Sequence, residues 1–155
     1  MMEPVPAPEL SERLRAAGLR VTSQRLVLHG ALAALGRHAT ADEVLRAATP
    51  RLPGLSLPTV YATLELLARL GVVRRVAAGG AVRWDPGLEP HAHFACADCG
   101  ALSDVPGSAD AAALERAATE AGFEVLTVDV VLHGRCAACR QPAAPRPPAA
   151  AGLAG

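Results

Sequence analysis

The stretch Ser56-Leu57-Pro58-Thr59-Val60-Tyr61-Ala62-Thr63-Leu64-Glu65-Leu66-Leu67-Ala68-Arg69-Leu70-Gly71, with Val72-Val73-Arg74-Arg75-Val76 and Ala81-Val82-Arg83-Trp84 behind it, decides the fold. Val60, Leu64, Leu67 and Leu70 recur at helical spacing. Pro58 falls in the first turn, where a missing N–H costs nothing, and Gly71 supplies a stop. The two β-prone runs flank Gly79-Gly80, which is a hairpin signal. A helix followed by such a hairpin outlines a winged helix-turn-helix.

Three shorter helices precede it. Leu10, Leu14 and Ala17 form an apolar stripe that stops at Gly18. Thr22 can cap a second helix with Leu26, Val27, Leu32 and Leu35 on its apolar side, ending at Gly36. Thr40-Ala41-Asp42-Glu43 has the capping-box pattern, with Glu43 reaching back to the cap. That helix carries Val44, Leu45 and Ala48 and stops before Pro50. In helix-turn-helix docking the N-terminal end of the reading helix enters the major groove. Ser56, Thr59, Tyr61 and Thr63 are therefore the candidate base-reading residues. Arg20, Thr22, Gln24 and Arg25 at the start of the second helix, with Arg74, Arg75 and Arg83 in the hairpin, are candidate phosphate contacts.

Charge supports the same division. The net charge of the 155 residues is zero, but residues 1–86 hold eleven Arg against seven acids and residues 87–155 hold four Arg against eight acids. Phosphate affinity depends on a local basic face, not on the total. All basic residues are Arg. With the Ala/Pro/Gly bias this reads as a high-GC composition, so Arg usage by itself carries little. No signal segment and no apolar run of about 20 residues is visible, so a cytoplasmic protein without a membrane partner is expected.

Beyond the hairpin the chain changes character. Its only cysteines, Cys96, Cys99, Cys136 and Cys139, form two Cys-x-x-Cys pairs. That spacing lets both sulfurs of a pair reach one ion, and two pairs complete a four-thiolate site suited to zinc. Short strands over Phe94–Cys96 and Ala101–Ser103 flank the first pair. Asp110 can cap a helix from Ala111 to Ala121, and a strand is expected from Phe123 to Leu132, leading to the second pair. Ahead of the cysteines, His91 and His93 lie at i, i+2 and share a face if extended. With His38, Asp85 and Asp104 they are candidates for a second, harder site. Imidazole plus carboxylate suits iron(II), manganese(II) or zinc(II). His29 and His133 read as structural. Together these features predict an α+β chain. A winged helix spans 1–85, a zinc-stapled α/β domain spans 86–140, and a disordered Ala/Pro-rich tail spans 141–155, with a hinge near Asp85-Pro86-Gly87.

The motifs Gly18-Leu19-Arg20-Val21-Thr22-Ser23-Gln24-Arg25, His38-Ala39-Thr40-Ala41-Asp42-Glu43, Leu57-Pro58-Thr59-Val60-Tyr61-Ala62-Thr63-Leu64, His91-Ala92-His93 with Cys96-Ala97-Asp98-Cys99-Gly100, and Gly134-Arg135-Cys136-Ala137-Ala138-Cys139 occur in order. Over about residues 9–140 the chain resembles the ferric uptake regulator family of metal-dependent repressors. The resemblance implies that the C-terminal domain dimerises and that a homodimer binds a palindromic operator on double-stranded DNA. It also implies structural zinc on Cys96, Cys99, Cys136 and Cys139, and regulatory Fe(II) or Mn(II) on His38, Asp85, His91, His93 and Asp104. Aspartate at both 85 and 104 resembles the peroxide-sensing branch, in which a ligand imidazole, His38 or His91 here, is oxidised. Pro90, Ala92 and Val128 stand where a third metal site has its ligands in other members, so none is expected. Such a protein is not an enzyme. The rival readings are an iron- or other metal-uptake repressor of the same family, a zinc hydrolase or deaminase using His91 and His93 as ligands with Glu89 the only nearby candidate base, and a zinc-stapled interaction module without DNA binding.

Overall fold

Thr22 caps the second helix through its hydroxyl, which accepts from the Arg25 amide at 3.4 Å, and Gly36 closes that helix with φ +60°. It is one of four helices in the N-terminal half of the computed structural model, which describes residues 4–78, 81–88, 91–105 and 110–140. These helices are α1 (Ala7–Ala16), α2 (Ser23–Leu35), α3 (Ala41–Ala48) and α4 (Leu57–Arg69). The capping box of α3 is complete: Thr40 accepts from the Glu43 amide, and Glu43 accepts from the Thr40 amide at 2.8 Å. The cap of α4 is built differently. Ser56 bonds the Thr59 hydroxyl at 2.8 Å instead of a backbone N–H.

The four helices bury one core. Leu10 and Leu14 of α1, Leu28 and Leu32 of α2, Val44 of α3, and Val60, Leu64 and Leu67 of α4 are all fully buried. Each such side chain contributes roughly 1.5–3 kcal/mol on removal from water. Val72, Val73 and Trp84 extend this core into the hairpin formed by β1 (Arg74–Ala78) and β2 (Ala81–Asp85). The hairpin strands are antiparallel, with Arg75 opposite Trp84 and Val76 opposite Arg83. The predicted Gly79-Gly80 turn lies outside the described residues.

The C-terminal half contains a three-stranded sheet in the order β4-β3-β5, from β3 (Ala92–Cys96), β4 (Leu102–Val105) and β5 (Val130–Gly134). β3 pairs antiparallel with β4 and parallel with β5. Helix α5 (Ala111–Glu120) is capped by Asp110 as expected, and a short α6 (Ala137–Arg140) carries Cys139. The strand predicted over Phe123–Leu132 is displaced: residues 123–129 are not strand, and β5 starts at Val130. Their alternation is strand-like, but a strand forms only where a ladder partner exists. β3 supplies one only opposite residues 130–134.

The hairpin joins the two halves. Val76 packs with Ala95 in a small second core that Leu102 and Val131 complete. Arg74 reaches the Asp129 carboxylate at 3.2 Å, and Arg83 donates to the Gly100 carbonyl at 3.3 Å. The wing thus lies against the cysteine-bearing sheet. No helix among the described residues is long and apolar enough to cross a membrane.

Candidate metal centre and nucleic-acid face

The cysteine pairs converge because of strand register. Cys96 ends β3 opposite Gly134 of β5, so the chain two residues beyond Gly134 delivers Cys136 beside it. The Cys136 amide donates to Cys96 Sγ at 3.4 Å, and Cys99 Sγ lies 3.9 Å from Cys136 Sγ. All four sulfurs lie within 4.8 Å of one another. Four thiols this close cannot all ionise without a cation between them. Backbone N–H donation from Cys136 and Cys99 pulls the Cys96 thiol down to about 6, whereas the neighbouring sulfurs, Cys136 first, push Cys139 up to about 12. This set fits zinc, which is bound through thiolates.

The second cluster is assembled from three elements. His38 comes from the loop between α2 and α3, Asp85 from the end of β2, His93 from β3 and His91 from the residue just before that strand. One atom from each of the four falls within 4.8 Å of the others. Asp85 Oδ2 is central, at 3.4 Å from His38 Nε2, 3.1 Å from His91 Nε2 and 3.9 Å from His93 Nε2. Asp104, the direct cross-strand partner of His93, brings its Oδ1 to 3.4 Å from His38 Nε2 and 3.3 Å from His91 Nε2. It is 51% exposed at the rim, while Asp85 and His93 are buried.

Hydrogen bonding does not account for this packing. Among the described residues, Asp85 Oδ2, His38 Nε2 and both ring nitrogens of His93 are buried without an acceptable hydrogen bond. Orphaned groups of this kind are rare and costly. Aimed at one point, they form a nitrogen and oxygen donor set that fits a divalent cation of intermediate hardness. Burial opposes ionisation of Asp85, but the His38 and His93 imidazoles and the Gly87 amide outweigh it and hold the carboxyl below the usual carboxylate range. The Gly87 N–H donates to Asp85 Oδ1 at 2.8 Å, which leaves Oδ2 aimed at the imidazoles. A cavity of about 420 Å3 opens beside the cluster between Arg37, His38, Asp85 and Asp104.

The sequence of residues 16–133 matches the ferric uptake regulator family. The chain belongs to that family. Ferric uptake regulation protein 1 of Mycolicibacterium fortuitum is 38% identical over 120 residues, 76% of this chain and 74% of that protein. The peroxide-responsive repressor PerR of Staphylococcus epidermidis is 30% identical over 131 residues, covering 83% and 86% of the two chains. Among solved structures, the ferric uptake regulator of Pseudomonas aeruginosa with manganese superposes with TM-score 0.62 at 30% identity, covering 82% of this chain and 97% of that one. Ferric uptake regulators are metal-dependent transcriptional regulators, not enzymes, and they bind DNA as dimers. The family's metals are structural zinc and regulatory iron or manganese, and the four-cysteine and His/Asp clusters supply donors of those two kinds.

The residues expected to approach DNA differ in exposure. Arg20, Thr22, Ser56 and Tyr61 are exposed. Thr63 is instead buried, where its hydroxyl accepts from Gln24 Nε2 at 3.4 Å, so this pair ties α2 to α4. Arg25 donates to the Arg20 carbonyl. In the wing, Arg74 and Arg83 face the C-terminal half, and Arg75 pairs with Glu65 at 3.0 Å. His29 is buried in α2, where burial pushes its pKa down against a bond to the Val72 backbone, and His133 is exposed on β5. Neither belongs to a cluster. The Ala39–Trp84 bridge, which sets His38 beside Asp85, was not legible, since nothing local marks a pairing across 45 residues.

Proposed function

We propose that this chain is a homodimeric, cytoplasmic repressor that binds a palindromic operator with iron(II) or manganese(II) and senses hydrogen peroxide. In this reading Cys96, Cys99, Cys136 and Cys139 hold structural zinc, and His38, Asp85, His91, His93 and Asp104 hold the regulatory metal. Residues 1–85 form the DNA-binding domain and 86–140 the dimerisation domain. Arg20, Thr22, Arg25, Ser56, Thr59 and Tyr61 approach the DNA, with Gln24 and Thr63 bracing the reading helix from behind. The observation that carries the proposal is a cluster of three imidazoles and two aspartates, without sulfur, beside a cavity that reaches His38 and Asp104.

The chain's own residues define how the switch works. His38 is the cluster's link to the helical half, and His91, His93 and Asp104 are its link to the sheet. Asp85 Oδ2 supplies the negative charge that offsets a cation in a buried place. Iron(II) bound there would supply the one-electron chemistry that breaks the peroxide O–O bond, the net change being one oxygen added to a carbon of the His38 or His91 imidazole and one water released. Oxidation of His38 or His91 then removes a donor and frees the two halves to change their relative placement. A coupling of about 1–3 kcal/mol corresponds to roughly 5–150-fold in DNA affinity. The same donors would hold manganese(II), which would not supply that chemistry.

Mass spectrometry of iron-loaded protein after dilute peroxide tests the reading. One added oxygen is expected on a peptide containing His38 or His91, and none with manganese. A metal-uptake repressor is the second reading, favoured by the 38% identity to the Mycolicibacterium protein. An unmodified His38 and His91, with repression that follows iron supply, would establish it.

A further inference from the structure

Trp84 touches both ends of the system. It is the chain's single tryptophan and is fully buried. Its amide donates to the Ala39 carbonyl at 2.8 Å, and the Ala39 amide donates back to the Trp84 carbonyl at 3.0 Å. The residues next to this two-bond bridge are His38 and Asp85, whose Nε2 and Oδ2 consequently lie 3.4 Å apart. The Trp84 ring meets the Tyr61 ring edge-on, with centroids 5.4 Å apart and planes at 69°. Tyr61 lies near the N-terminal end of α4 and is 40% exposed. The indole Nε1 has no hydrogen-bond partner among the described residues. Packing alone therefore fixes the ring against Tyr61.

We propose that Trp84 is a positioning residue that transmits occupancy of the His38–Asp85 site to the DNA-reading helix through the Tyr61 ring. The inference rests on the metal reading of that cluster. Drawing His38 Nε2 and Asp85 Oδ2 toward one ion acts on both strands of the Ala39–Trp84 bridge, one peptide away on each side. The indole is carried by that bridge. In a close-packed interior, a displaced ring moves its neighbour instead of compressing it. The backbone bridge survives any side chain at 84, but the ring contact requires an aromatic one.

Hydrogen exchange with manganese(II) alone, without DNA, tests this. In the wild-type chain manganese slows exchange over residues 85–104 and also over α4, the latter by about two- to thirtyfold. Trp84→Phe keeps both effects. Trp84→Leu and Tyr61→Leu keep protection at 85–104 and lose it in α4. Tyr61→Leu removes the contact from its exposed side, so the test stands even if Trp84→Leu fails to fold. Protection of α4 that survives in Tyr61→Leu, or that is missing from the wild type while 85–104 is protected, overturns the proposal. If manganese protects neither segment, the metal reading of the cluster fails and this proposal fails with it.

Discussion

Asp85 and Asp104 have the same side chain but different standing in the cluster. Asp85 Oδ2 approaches three imidazoles from a buried position, whereas Asp104 Oδ1 approaches two from a half-exposed one. Asp85→Asn removes the only buried negative charge that the described residues bring to those nitrogens. It is expected to weaken manganese binding by more than about tenfold, and Asp104→Asn by less, as isothermal titration would report. An equal loss from both would mean that burial does not set the ranking. Glu43 supports the site from outside. Its bond with Arg37, at 2.7 Å, is the chief cause that lowers its pKa from 4.5 to about 2, and Arg37 also donates to the His38 carbonyl at 3.2 Å. A depressed carboxylate stabilises the fold above its unfolded pKa, and that contribution is lost as pH falls through the folded value. The stability gap between wild type and Glu43→Gln, about 1 kcal/mol near neutral pH, should therefore close between about pH 4.5 and 2 in urea titrations. A gap that widens on acidification would contradict the assignment. Capping chemistry of this kind was legible because it is local. The burial of Thr63 was not, because a hydroxyl in the reading helix looks the same whether it meets DNA or Gln24 of another helix.

At the level of elements, the loop carrying His38 is set by what ends α2 and what begins α3. Gly36 turns the chain with φ +60°, and four residues later Thr40 opens the capping box. An added Cβ at Gly36 meets no atom within 4 Å, so a side chain there is opposed by backbone conformation alone. Gly36→Ala is expected to cost about 1 kcal/mol, read from denaturant midpoints, and to weaken manganese binding through His38. Loss of stability with unchanged metal affinity would show that the loop places His38 by other means. The helices were readable from caps and apolar spacing because both act within a few residues. The strand over 123–132 was misplaced by the same reliance on local pattern. Alternation names a face, but only pairing with β3, which covers residues 130–134, makes a strand.

Across the whole molecule, the two metal clusters share one sheet. His93 and Cys96 lie on the same five-residue strand, and Asp104 lies on its neighbour β4. β4 and β5 are short and have no fully buried residue, and β5 is held only through β3, so the four-cysteine site is expected to fix their register. Removing zinc with a chelator should therefore unfold residues 92–140, abolish manganese binding and leave α1–α4 folded, as segment-resolved hydrogen exchange would show. Retained manganese binding without zinc would separate the two sites. Among the described residues, the same half carries the most exposed of the large apolar side chains. Leu126 is 87% exposed, Phe123 is 67% exposed, and Leu114 and Leu132 are about half exposed. Exposed apolar groups clustered on one half of a chain mark a surface that a partner covers, and this family forms dimers. Leu126→Glu puts a charge on that surface without touching the core. Sedimentation should show its dimer dissociation constant raised by about 100-fold or more, while far-UV circular dichroism of the dilute chain stays unchanged. Affinity for operator DNA should fall with the loss of dimer and recover when protein concentration restores it. A Leu126→Glu chain that dimerises as tightly as wild type would place the contact elsewhere. It would also leave Phe123 and Leu126 exposed for some other partner.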